Sequence, residues 1–585
     1  MSKHTVARQG ASYNRFSAIP RAQIQRSVFN RSHDYKTTFD SGYLVPFYVD
    51  EVLPGDSFKL NCSIFCRLAT PIVPFMDNLY LETFFFFVPN RLVWKHWENF
   101  MGQQDNPGDS TDYLIPQTVA GNTGFAVGSV ADYFGIPTSV KGLSVSSLPF
   151  RAYQLIYNEW FRDENLQERV GAWAPAAPHK DDPVGDWNDT NSTGLTLLRR
   201  NKYHDYFTSA LPWPQKGDAV DVNFGVGGPI VWEDQSYNVT SNVGDNWSMK
   251  FYKVANPKNH VFLAPSPSVD TSSNHVTLTP PIQHDANIHP AYPQGTLYSP
   301  GDAWQYAGAG LNRNESSVTS PITLPTLKFV GETGAGLTIN DLRQAFQVQK
   351  LLERDARGGT RYTEILRSHF GVVSPDARLQ RPEYLGGSST RILMNSVAQT
   401  AATNDVTPQA NLSAFGLFGD SFHGFSKSFV EHGYIIGLVN VRADLSYQQG
   451  VNRMWSRKSR LDFYFPVLAH LGEQAILNKE IYAQGTAADN QVFGYQERFA
   501  EYRYSPSVIT GKMRSTDPQT LDIWHLGQKF DSLPTLSSQF IQDNPPVSRV
   551  VAVQSEPQFI LDAWFDLKCI RPMPVYSVPG LVDHF

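Results

Sequence analysis

Two stretches near opposite ends of this 585-residue chain alternate between apolar and polar positions. In 57–68 the even-numbered residues are apolar or cysteine, and in 559–569 the odd-numbered residues are. A period of two is typical of a strand that buries one face and leaves the other in solvent. The stretch 434–445 has the same period. Strands of this kind near both ends predict that distant parts of the chain share one sheet system.

The predicted fold class is therefore mainly β, an antiparallel sandwich with long insertions in its loops and a few helices. Residues 79–88 are apolar on both faces apart from Glu82 and Thr83, so we expect this strand to lie centrally or under another layer. The stretch 91–101 predicts a short helix, and 150–170 predicts a longer one with an aromatic face.

The clearest helical stretch spans 338–358, and a second short helix is predicted over 362–370. Asn340 is a good N-cap residue, and the glycine pair at 358 and 359 predicts the end of the first helix. The candidate core or subunit-contact residues on it are Leu342, Phe346, Leu352, Arg354 and Arg357. Two interpretations stay open: a solvated basic face, or a surface that meets a neighbouring subunit or a polyanion.

The first 36 residues carry seven basic side chains and one acidic one, Asp34, and we interpret residues 1–40 as an extended basic arm. Aromatic residues lie among the arginines, a pattern that suits single-stranded nucleic acid. An arm that binds the neighbouring subunit fits the same pattern. The candidate arginines for either role are Arg8, Arg15, Arg21, Arg26 and Arg31.

Residues 221–325 differ in composition from the rest of the chain. They contain eight acidic and four basic residues, many Asn, Ser, Thr, Gly and Pro, and only short apolar runs. Loops of this length in compact domains usually serve a function or form a subdomain. We predict an inserted subdomain, mostly β or irregular, exposed at a surface; a plain structural insertion is the alternative.

The composition favours an assembly and gives no sign of an enzyme. Only 18% of residues are charged, against about 25% in an ordinary soluble protein, and 13% are aromatic. Much of the surface is therefore expected to be buried against other chains. With a net charge of −6, nucleic-acid binding has to be local. The basic and aromatic cluster in 447–465 could bind nucleic acid or another subunit.

No catalytic or metal-binding motif rises above background, so we expect no cofactor. The glycines near 331–336 lack the Lys-Ser or Lys-Thr of a phosphate loop, and the aspartates in 181–189 lack the spacing of a calcium loop. Cys62, Cys66 and Cys569 are predicted to be buried and unpaired, as suits a reducing cytoplasm. The first ten residues show no secretion signal, and no apolar run is long enough for a membrane span.

Three stretches carry a family resemblance: VPFMDNLYLETFFFFVPNRLVWKHWENFMG at 73–102, KYHDYFTSALPWPQKG at 202–217, and 346–387, which begins FQVQKLLERDARGGTRYTEILRSHFG. In this order they closely resemble the major capsid proteins of gokushoviruses, small tailless single-stranded DNA phages of the Microviridae. The resemblance implies an eight-stranded jelly roll and a T = 1 icosahedral shell around circular single-stranded DNA. It implies a protein of the virion, assembled in the cytoplasm of a host bacterium.

The resemblance also implies partners. Besides copies of the chain and the DNA genome, they are a small basic DNA-associated phage protein, a minor or pilot protein, a host cell-surface receptor and, as an open possibility, a scaffolding protein. In the family the insertion forms a threefold protrusion thought to contact the host. The aromatic residues that we assign to this contact are Trp232, Trp247, Tyr292, Tyr298 and Trp304.

The predicted organisation is a basic arm at 1–40, a first part of the jelly-roll core at 41–220, the insertion at 221–325, and the helical hairpin with the remaining strands at 326–585. Two alternatives come from other classes. One is a secreted carbohydrate-active or glycan-binding β-sandwich, which would require a signal peptide. The other is a phage attachment protein rather than the shell itself.

Overall fold

A computed structural model provides the structure of the protein. It describes residues 25–188, 196–218, 220, 230–238, 246–251, 266–270, 275–279, 297–299, 302–304, 306–312, 321–329, 339–359, 361–371, 380–400, 403, 409 and 411–576. Between 230 and 341 the description is of the backbone alone. By its internal contacts the chain divides into two compact units, Ala219–Lys350 and the rest of the chain on either side of it.

One antiparallel sheet dominates the larger unit. Its nine strands are β1 Ser27–Asn30, β2 His33–Phe39, β3 Val45–Val52, β4 Ser57–Leu68, β5 Leu79–Pro89, β6 Glu383–Ala398, β7 Leu412–Ser428, β8 Gly433–Ala443 and β9 Phe559–Arg571. The order across the sheet is β1-β9-β4-β7-β6-β5-β8-β3, and β2 continues the edge beside β9. The mainly β, antiparallel fold class is therefore confirmed.

The sheet folds over into two facing layers. Strands β1, β2, β9, β4 and β7 form one layer, and β6, β5, β8 and β3 form the other. The rings of Phe47 on β3 and Phe565 on β9 lie 5.4 Å apart between centroids, although these strands are at opposite ends of the order. Phe85 on β5 likewise meets Phe425 on β7 at 5.6 Å. These inward aromatics form the core between the layers.

The two alternating stretches lie in one sheet, as predicted, and they form directly neighbouring strands. In β4 the even positions from Phe58 to Leu68 are buried, and in β9 the odd positions from Phe559 to Cys569 are buried. The strands pair antiparallel, with Phe65 opposite Asp562. The three cysteines are buried and unpaired, also as predicted, and burial raises the pKa of the Cys66 thiol to about 12.

A second apolar layer covers the outside of β5 and β8. Phe86 and Ile436, which point away from the sandwich core, pack with Trp94, Phe150 and residues around them. Strand 79–88 is therefore buried on both faces, as predicted. Strand β8 is also buried on nearly every residue, whereas its alternation predicted one exposed face. The helices that cover the outer face of β8 account for the difference, since an alternation with a period of two does not show whether another apolar layer covers the second face.

The described residues contain seven α-helices. They are α1 Trp97–Phe100, α2 Val130–Tyr133, α3 Leu148–Ile156, α4 Ile339–Gly358, α5 Tyr362–Ile365, α6 Asn478–Ile481 and α7 Ser538–Ile541. Wider π-helical turns extend α3 over Tyr157–Phe161 and α5 over Leu366–Phe370. The predicted helix at 150–170 therefore starts slightly earlier and ends at Phe161. The predicted helix at 91–101 is a 3-10 turn followed by α1.

Helix α4 begins at Ile339, so Asn340 lies inside its first turn instead of at the predicted N-cap. Its end is as predicted: Gly359 has a φ of +93°, a left-handed conformation that ends the helix at little steric cost. None of the helices in the described ranges is both long and apolar enough to cross a membrane.

Short hairpins and turns complete the described structure. In the larger unit Gln117–Val119 pairs with Ser144–Ser146, and Glu473–Leu477 with Val492–Glu497. In the smaller unit the pairs are Ile230–Asn238 with Pro321–Phe329, Asn246–Phe251 with Tyr306–Asn312, Ser266–Asp270 with His275–Thr279, and Leu297–Ser299 with Asp302–Trp304. The 3-10 turns are Asn90–Leu92, Gly171–Trp173, Arg453–Ser456, Arg460–Asp462, Pro466–Leu468, Ala487–Asn490, Ala500–Tyr502, Gly511–Met513, Asp522–Trp524 and Val547–Arg549.

We predict that adjacent residues of β9 differ sharply in their contribution to stability. Phe565 is fully buried between the layers and Trp564 is half exposed on the outer face. Phe565→Ala should lower the free energy of unfolding by about 3–5 kcal/mol, because it leaves a cavity. Trp564→Ala should lower it by less than about 1 kcal/mol. Denaturant unfolding of the unassembled subunit measures both; similar losses would contradict the placement of these two faces.

Candidate assembly surfaces

A large group of apolar side chains is exposed in a segment that consists of loops and short 3-10 turns, without a strand or an α-helix. Short 3-10 turns carry residues 453–468 across the surface of the larger unit. We call this group the 454–471 patch, and its members are Met454, Trp455, Leu461, Phe463, Tyr464, Phe465, Val467 and Leu471. Val467 is 90% exposed and Trp455 is 75% exposed. Exposed apolar groups at this density mark a surface that contacts another molecule.

Two buried ion pairs hold this segment in place. Arg453 lies 2.8 Å from Glu480, and Arg457 lies 3.3 Å from Glu501. Both carboxylates are almost completely buried, so each needs its arginine to offset the loss of hydration. Burial raises the pKa of Glu480, and the charge of Arg453 opposes that rise. The predicted basic cluster at 447–465 contains four cations, and two of them, Arg453 and Arg457, therefore neutralise acids of the same chain.

The helical hairpin of α4 and α5 presents a second apolar surface. Phe346 is 62% exposed and Phe370 is 72% exposed, whereas Leu342 and Leu352 are half-buried. The apolar face of α4 was predicted to be buried. Phe346 lies on that face and is exposed in the single chain. His369 contacts Asp355 at 2.8 Å and so ties α5 to α4.

The predicted basic residues of α4 have different environments. The guanidinium of Arg357 pairs with Glu473, whose side chain is buried, so Arg357 fastens the helix to the hairpin at 473–477. Arg354 is exposed. The charge of Arg357 is thus used within the chain, and sequence reasoning could not show this because the two residues are more than a hundred positions apart.

The predicted basic arm is partly a strand of the sheet. Arg8, Arg15 and Arg21 lie outside the described residues. Arg26 donates to Ser57 Oγ at 3.1 Å. Arg31 makes two hydrogen bonds to the carboxylate of Asp50, at 2.6 and 3.0 Å.

The end of the segment interpreted as an extended arm, which contains Arg31, is part of the sheet. Residues 27–39 form β1 and β2, which pair with β9 along its whole length. The hydrogen bonds of this pairing give the backbone a partner that local sequence did not reveal. The two strands and the Arg31–Asp50 ion pair therefore fix the segment after Arg26 to the body of the subunit.

Four of the five candidate host-contact residues lie on strands of the smaller unit. Trp232 is opposite Leu327 in the hairpin of Ile230–Asn238 and Pro321–Phe329. Trp247, Tyr298 and Trp304 lie on the described strands Asn246–Phe251, Leu297–Ser299 and Asp302–Trp304. Tyr292 is outside the described residues. The backbone thus spreads the four residues over three separate hairpins.

Two of the aspartates considered for calcium have protein partners, and Asp189 lies outside the described residues. Asp186 accepts hydrogen bonds from Trp94 Nε1 at 2.7 Å and from His96, and Asp182 pairs with Lys95. Both carboxylates therefore fasten the loop at 181–188 to the residues after β5. Within the described ranges no group of three or more His, Cys, Asp or Glu residues has the geometry of a metal site.

The most strongly perturbed charges lie beneath the loops that border β5 and β8. Glu82 on β5 pairs with Arg200 and with Arg442, the latter at 2.8 Å. Nearby, burial raises the pKa of Asp543 to about 6, and burial lowers the pKa of Lys202 to about 8. The backbone amide of Asp543 donates a hydrogen bond to the backbone carbonyl oxygen of Arg200, at 2.7 Å. These groups join the segments around 200 and 543 to the sheet, which is a structural role.

This burial predicts a pH dependence of stability. The folded-state pKa of Asp543 lies above its ordinary value of about 3.9, so its contribution is most favourable below pH 4 and is lost as pH rises towards 6. Asp543→Asn does not titrate. Relative to the natural chain, the variant should therefore gain about 1.4 kcal/mol of unfolding free energy per pH unit between pH 4 and 6.

Denaturant unfolding of the subunit at pH 4, 5, 6 and 7 measures this gain. The control is Asp531→Asn, because Asp531 is almost fully exposed and should show no such trend. A difference between Asp543→Asn and the natural chain that stays constant with pH would show that Asp543 ionises normally in the folded subunit.

Comparison with known proteins gives one consistent result. The model of the family described as capsid protein (F protein) matches residues 17–581. A "Capsid protein VP1" of Chlamydia phage 1 is 45% identical over 592 aligned residues, which cover 97% of this chain and 98% of the relative. The proteins of the same name from Bdellovibrio phage phiMH2K and Spiroplasma virus 4 are 45% and 36% identical, over 98% and 99% of this chain.

Proposed function

The chain belongs to the capsid protein (F protein) family, so it is a structural subunit that assembles with its own copies into a phage capsid, and we propose that this capsid is a T = 1 icosahedral shell around a circular single-stranded DNA genome. The family resemblance read from the sequence is thereby confirmed. The match spans nearly the whole chain, which sets aside a glycan-binding sandwich or a separate attachment protein. The observation that supports a contact surface is the 454–471 patch.

The chemistry of this patch suits a contact between copies. The centre of a protein interface is rich in aromatic residues and Met and poor in uncompensated charge. In the patch, Arg457 stacks over the ring of Tyr502 at 4.2 Å and is paired with Glu501. Its charge is thus already neutralised before another subunit arrives. Repetition by symmetry then multiplies a modest contact energy over the whole shell.

We predict that Leu461→Asp combined with Val467→Asp prevents shell formation but leaves the subunit folded. Both side chains are largely exposed, so the cost to folding should be small, whereas an unpaired carboxylate buried in an interface costs several kcal/mol. Sedimentation and electron microscopy measure assembly, and circular dichroism measures folding.

The matched control is Leu114→Asp combined with Val127→Asp, because both residues are more than 75% exposed and lie far from the patch in sequence. This control should form shells. Normal shells from the Leu461 and Val467 variant would remove the patch from the subunit contacts and leave the α4–α5 hairpin, with Phe346 and Phe370, as the next surface to test.

The topology supports a jelly roll. From β2 onward, the chain crosses between the two layers at every connection except the one from β5 to β6. Two four-stranded layers, β2-β9-β4-β7 and β6-β5-β8-β3, result from these crossings. This alternation between facing layers is the arrangement of an eight-stranded jelly roll. Long connections between layers also provide the places at which insertions leave the sandwich intact.

We also propose that the insertion at 221–325 attaches the capsid to the host cell surface, with Trp232, Trp247, Tyr292, Tyr298 and Trp304 as candidate contacts. Support comes from the compactness of the unit at 219–350 and from its composition. Aromatic side chains suit binding to a protein or a sugar, since each offers a large apolar area at low entropic cost.

The register of the first hairpin allows a sharp test of this role. Asn238 is opposite Pro321, so the chain leaves and re-enters this strand pair at adjacent positions. Replacing residues 239–320 by Asn-Gly should therefore close the hairpin with a two-residue turn. We predict normal shells that no longer adsorb to the host, measured by electron microscopy and by depletion of particles onto cells.

Trp232→Ser is the companion variant, because Trp232 stays in the shortened hairpin. If the Trp232→Ser substitution by itself abolishes adsorption, the contact lies at the base of the insertion. Full adsorption both by particles that lack 239–320 and by the Trp232→Ser variant would contradict the attachment role.

Other partners follow from the charge balance. A chain with a net charge of −6 supplies little compensation for packaged DNA, so a separate small basic phage protein is expected to accompany the genome. A minor or pilot protein and a scaffolding protein are proposed from family membership alone. The three buried free thiols suit assembly in the reducing cytoplasm of the host.

A further inference from the structure

The outer face of the β9–β4–β7 layer carries aromatic rings where a solvent-facing sheet normally carries polar groups. Trp564 on β9 is opposite Ser63 on β4, and Phe65 on β4 is opposite Asp562 on β9. The two rings are therefore diagonal neighbours across the pair of strands. Trp564 is 50% exposed and Phe65 is 52% exposed.

Both rings are open to a ligand. Among the described residues, no other aromatic ring lies within stacking distance of Trp564 or Phe65. On the next strand, the residue opposite Phe65 is Gly419. A Cβ atom built at Gly419 would meet no atom within 4 Å, so the space directly above Gly419 is open. Glycine inside a strand often marks a position that another molecule approaches closely.

Cations without acidic partners border these rings. Lys59 on β4 is directly opposite Lys568 on β9, an arrangement of like charges that destabilises a sheet. In the described part of the chain, no carboxylate lies within ion-pair distance of Lys59, Lys568 or Arg67. The carboxylates of this face have partners on β2 and just before it: Asp562, opposite Phe65, shares Lys36 with Asp34, and Asp566, between Trp564 and Lys568, accepts a hydrogen bond from Ser32 Oγ at 3.3 Å. A polyanion would relieve the repulsion between the two lysines.

The basic N-terminal segment joins the sheet at the same end as the two lysines. Lys568 pairs with Asn30 of β1 on its other side, and Ser57, which receives the hydrogen bond of Arg26, begins β4 two residues before Lys59. The 24 residues before the described chain contain four Lys or Arg residues and no acid. The sequence before the described strands therefore adds positive charge and no carboxylate.

We propose that the outer face of β4 and β9 binds single-stranded DNA, with bases stacked on Trp564 and Phe65 and phosphates paired with Lys59, Lys568 and Arg67. This rests on the proposed enclosure of a single-stranded DNA genome and assigns the genome-facing surface of the subunit. Lys568 lies four positions after Trp564, which places the ring and the charge about 13 Å apart along β9. Stacking on exposed aromatics beside cations is the common way to bind single strands without sequence preference.

A second copy of the chain is the competing occupant, and the charges disfavour it. The central part of a protein interface is depleted in lysine, whereas this face has Lys59 opposite Lys568 at one end and Arg67, two residues after Phe65, at the other. The 454–471 patch has the composition expected of an interface, with Arg453 and Arg457 already paired. The two surfaces therefore suit different partners.

The test uses the full-length unassembled subunit and a fluorescein-labelled single-stranded oligothymidylate of about 12 nucleotides, with fluorescence anisotropy over a range of salt concentrations. Trp564→Leu with Phe65→Leu should weaken binding at least about tenfold, since one stacked base contributes about 5- to 150-fold. Lys59→Ala with Lys568→Ala should reduce the slope of log affinity against log salt by about 1.4. The same length of duplex should bind more weakly, because its bases are not available for stacking.

Two matched variants control for general effects on exposed rings and charges. Tyr203→Leu removes an exposed ring elsewhere, and Lys141→Ala with Lys180→Ala removes two exposed loop lysines. Neither should change the affinity by more than about twofold. Photo-crosslinking of an oligonucleotide that carries 5-bromodeoxyuridine provides a readout without any substitution, and the crosslinked peptides should come from 57–68 or 559–571.

The outcomes separate this proposal from the capsid assignment. Unchanged oligonucleotide affinity in the Trp564 and Phe65 variant, or crosslinks only to other peptides, would overturn it. If that variant fails to form shells but binds the oligonucleotide normally, the face contacts a second copy and the proposal is wrong. Shells that form but retain less DNA than natural particles would support it. If the natural chain fails to form shells, that result would count against the proposed T = 1 assembly and not against DNA binding by this face.

Discussion

The structure depends on the closure of one long sheet onto itself. Phe47 and Phe565 lie on strands at opposite ends of the strand order, and their contact brings the two ends together. Without it, both layers would expose their aromatic inner faces to water. The strands that carry these two rings, β3 and β9, also come from opposite ends of the chain. The connections between the sheet strands are therefore free to carry insertions without entering the core.

Closure has a consequence for where function can lie. Strands β5 and β8 are covered on both faces, so the sheet surface that the β6-β5-β8-β3 layer exposes lies mainly on β6. The β9–β4–β7 layer keeps an outer face in solvent. The remaining exposed surfaces belong to loops and helices around the sandwich, such as the 454–471 patch and the α4–α5 hairpin. The sandwich, its loops and the hairpin helices thus expose chemically different surfaces.

The sequence predicted the elements whose pattern is local. The burial of alternate residues in β4 and β9, the two buried faces of β5, and the end of α4 at Gly359 all follow from spacing or from a single residue's conformational preference. The covering of β8 and the pairing of 27–39 with β9 depend on partners hundreds of residues away, which no local pattern encodes.

The surfaces were predictable to different degrees for the same reason. The exposure of Phe346 was not predictable, because an apolar stripe on a helix looks the same whether it meets the core or another chain. The 454–471 patch has no period at all, and only its basic and aromatic composition drew attention to part of it. Phe65 and Trp564 did leave a signal, since each is an aromatic residue at a position that the alternation assigns to solvent.

Whether each cation is paired with a carboxylate distinguishes the surfaces more clearly than their apolar content does. Arg31, Arg357, Arg453 and Arg457 all pair with carboxylates that are largely buried, so they hold strands and loops in place and have no charge to spare for a ligand. Lys59 and Lys568 face each other without such partners. A folded chain gains nothing from that repulsion, so its presence beside unstacked rings points to a binding partner that carries the opposite charge.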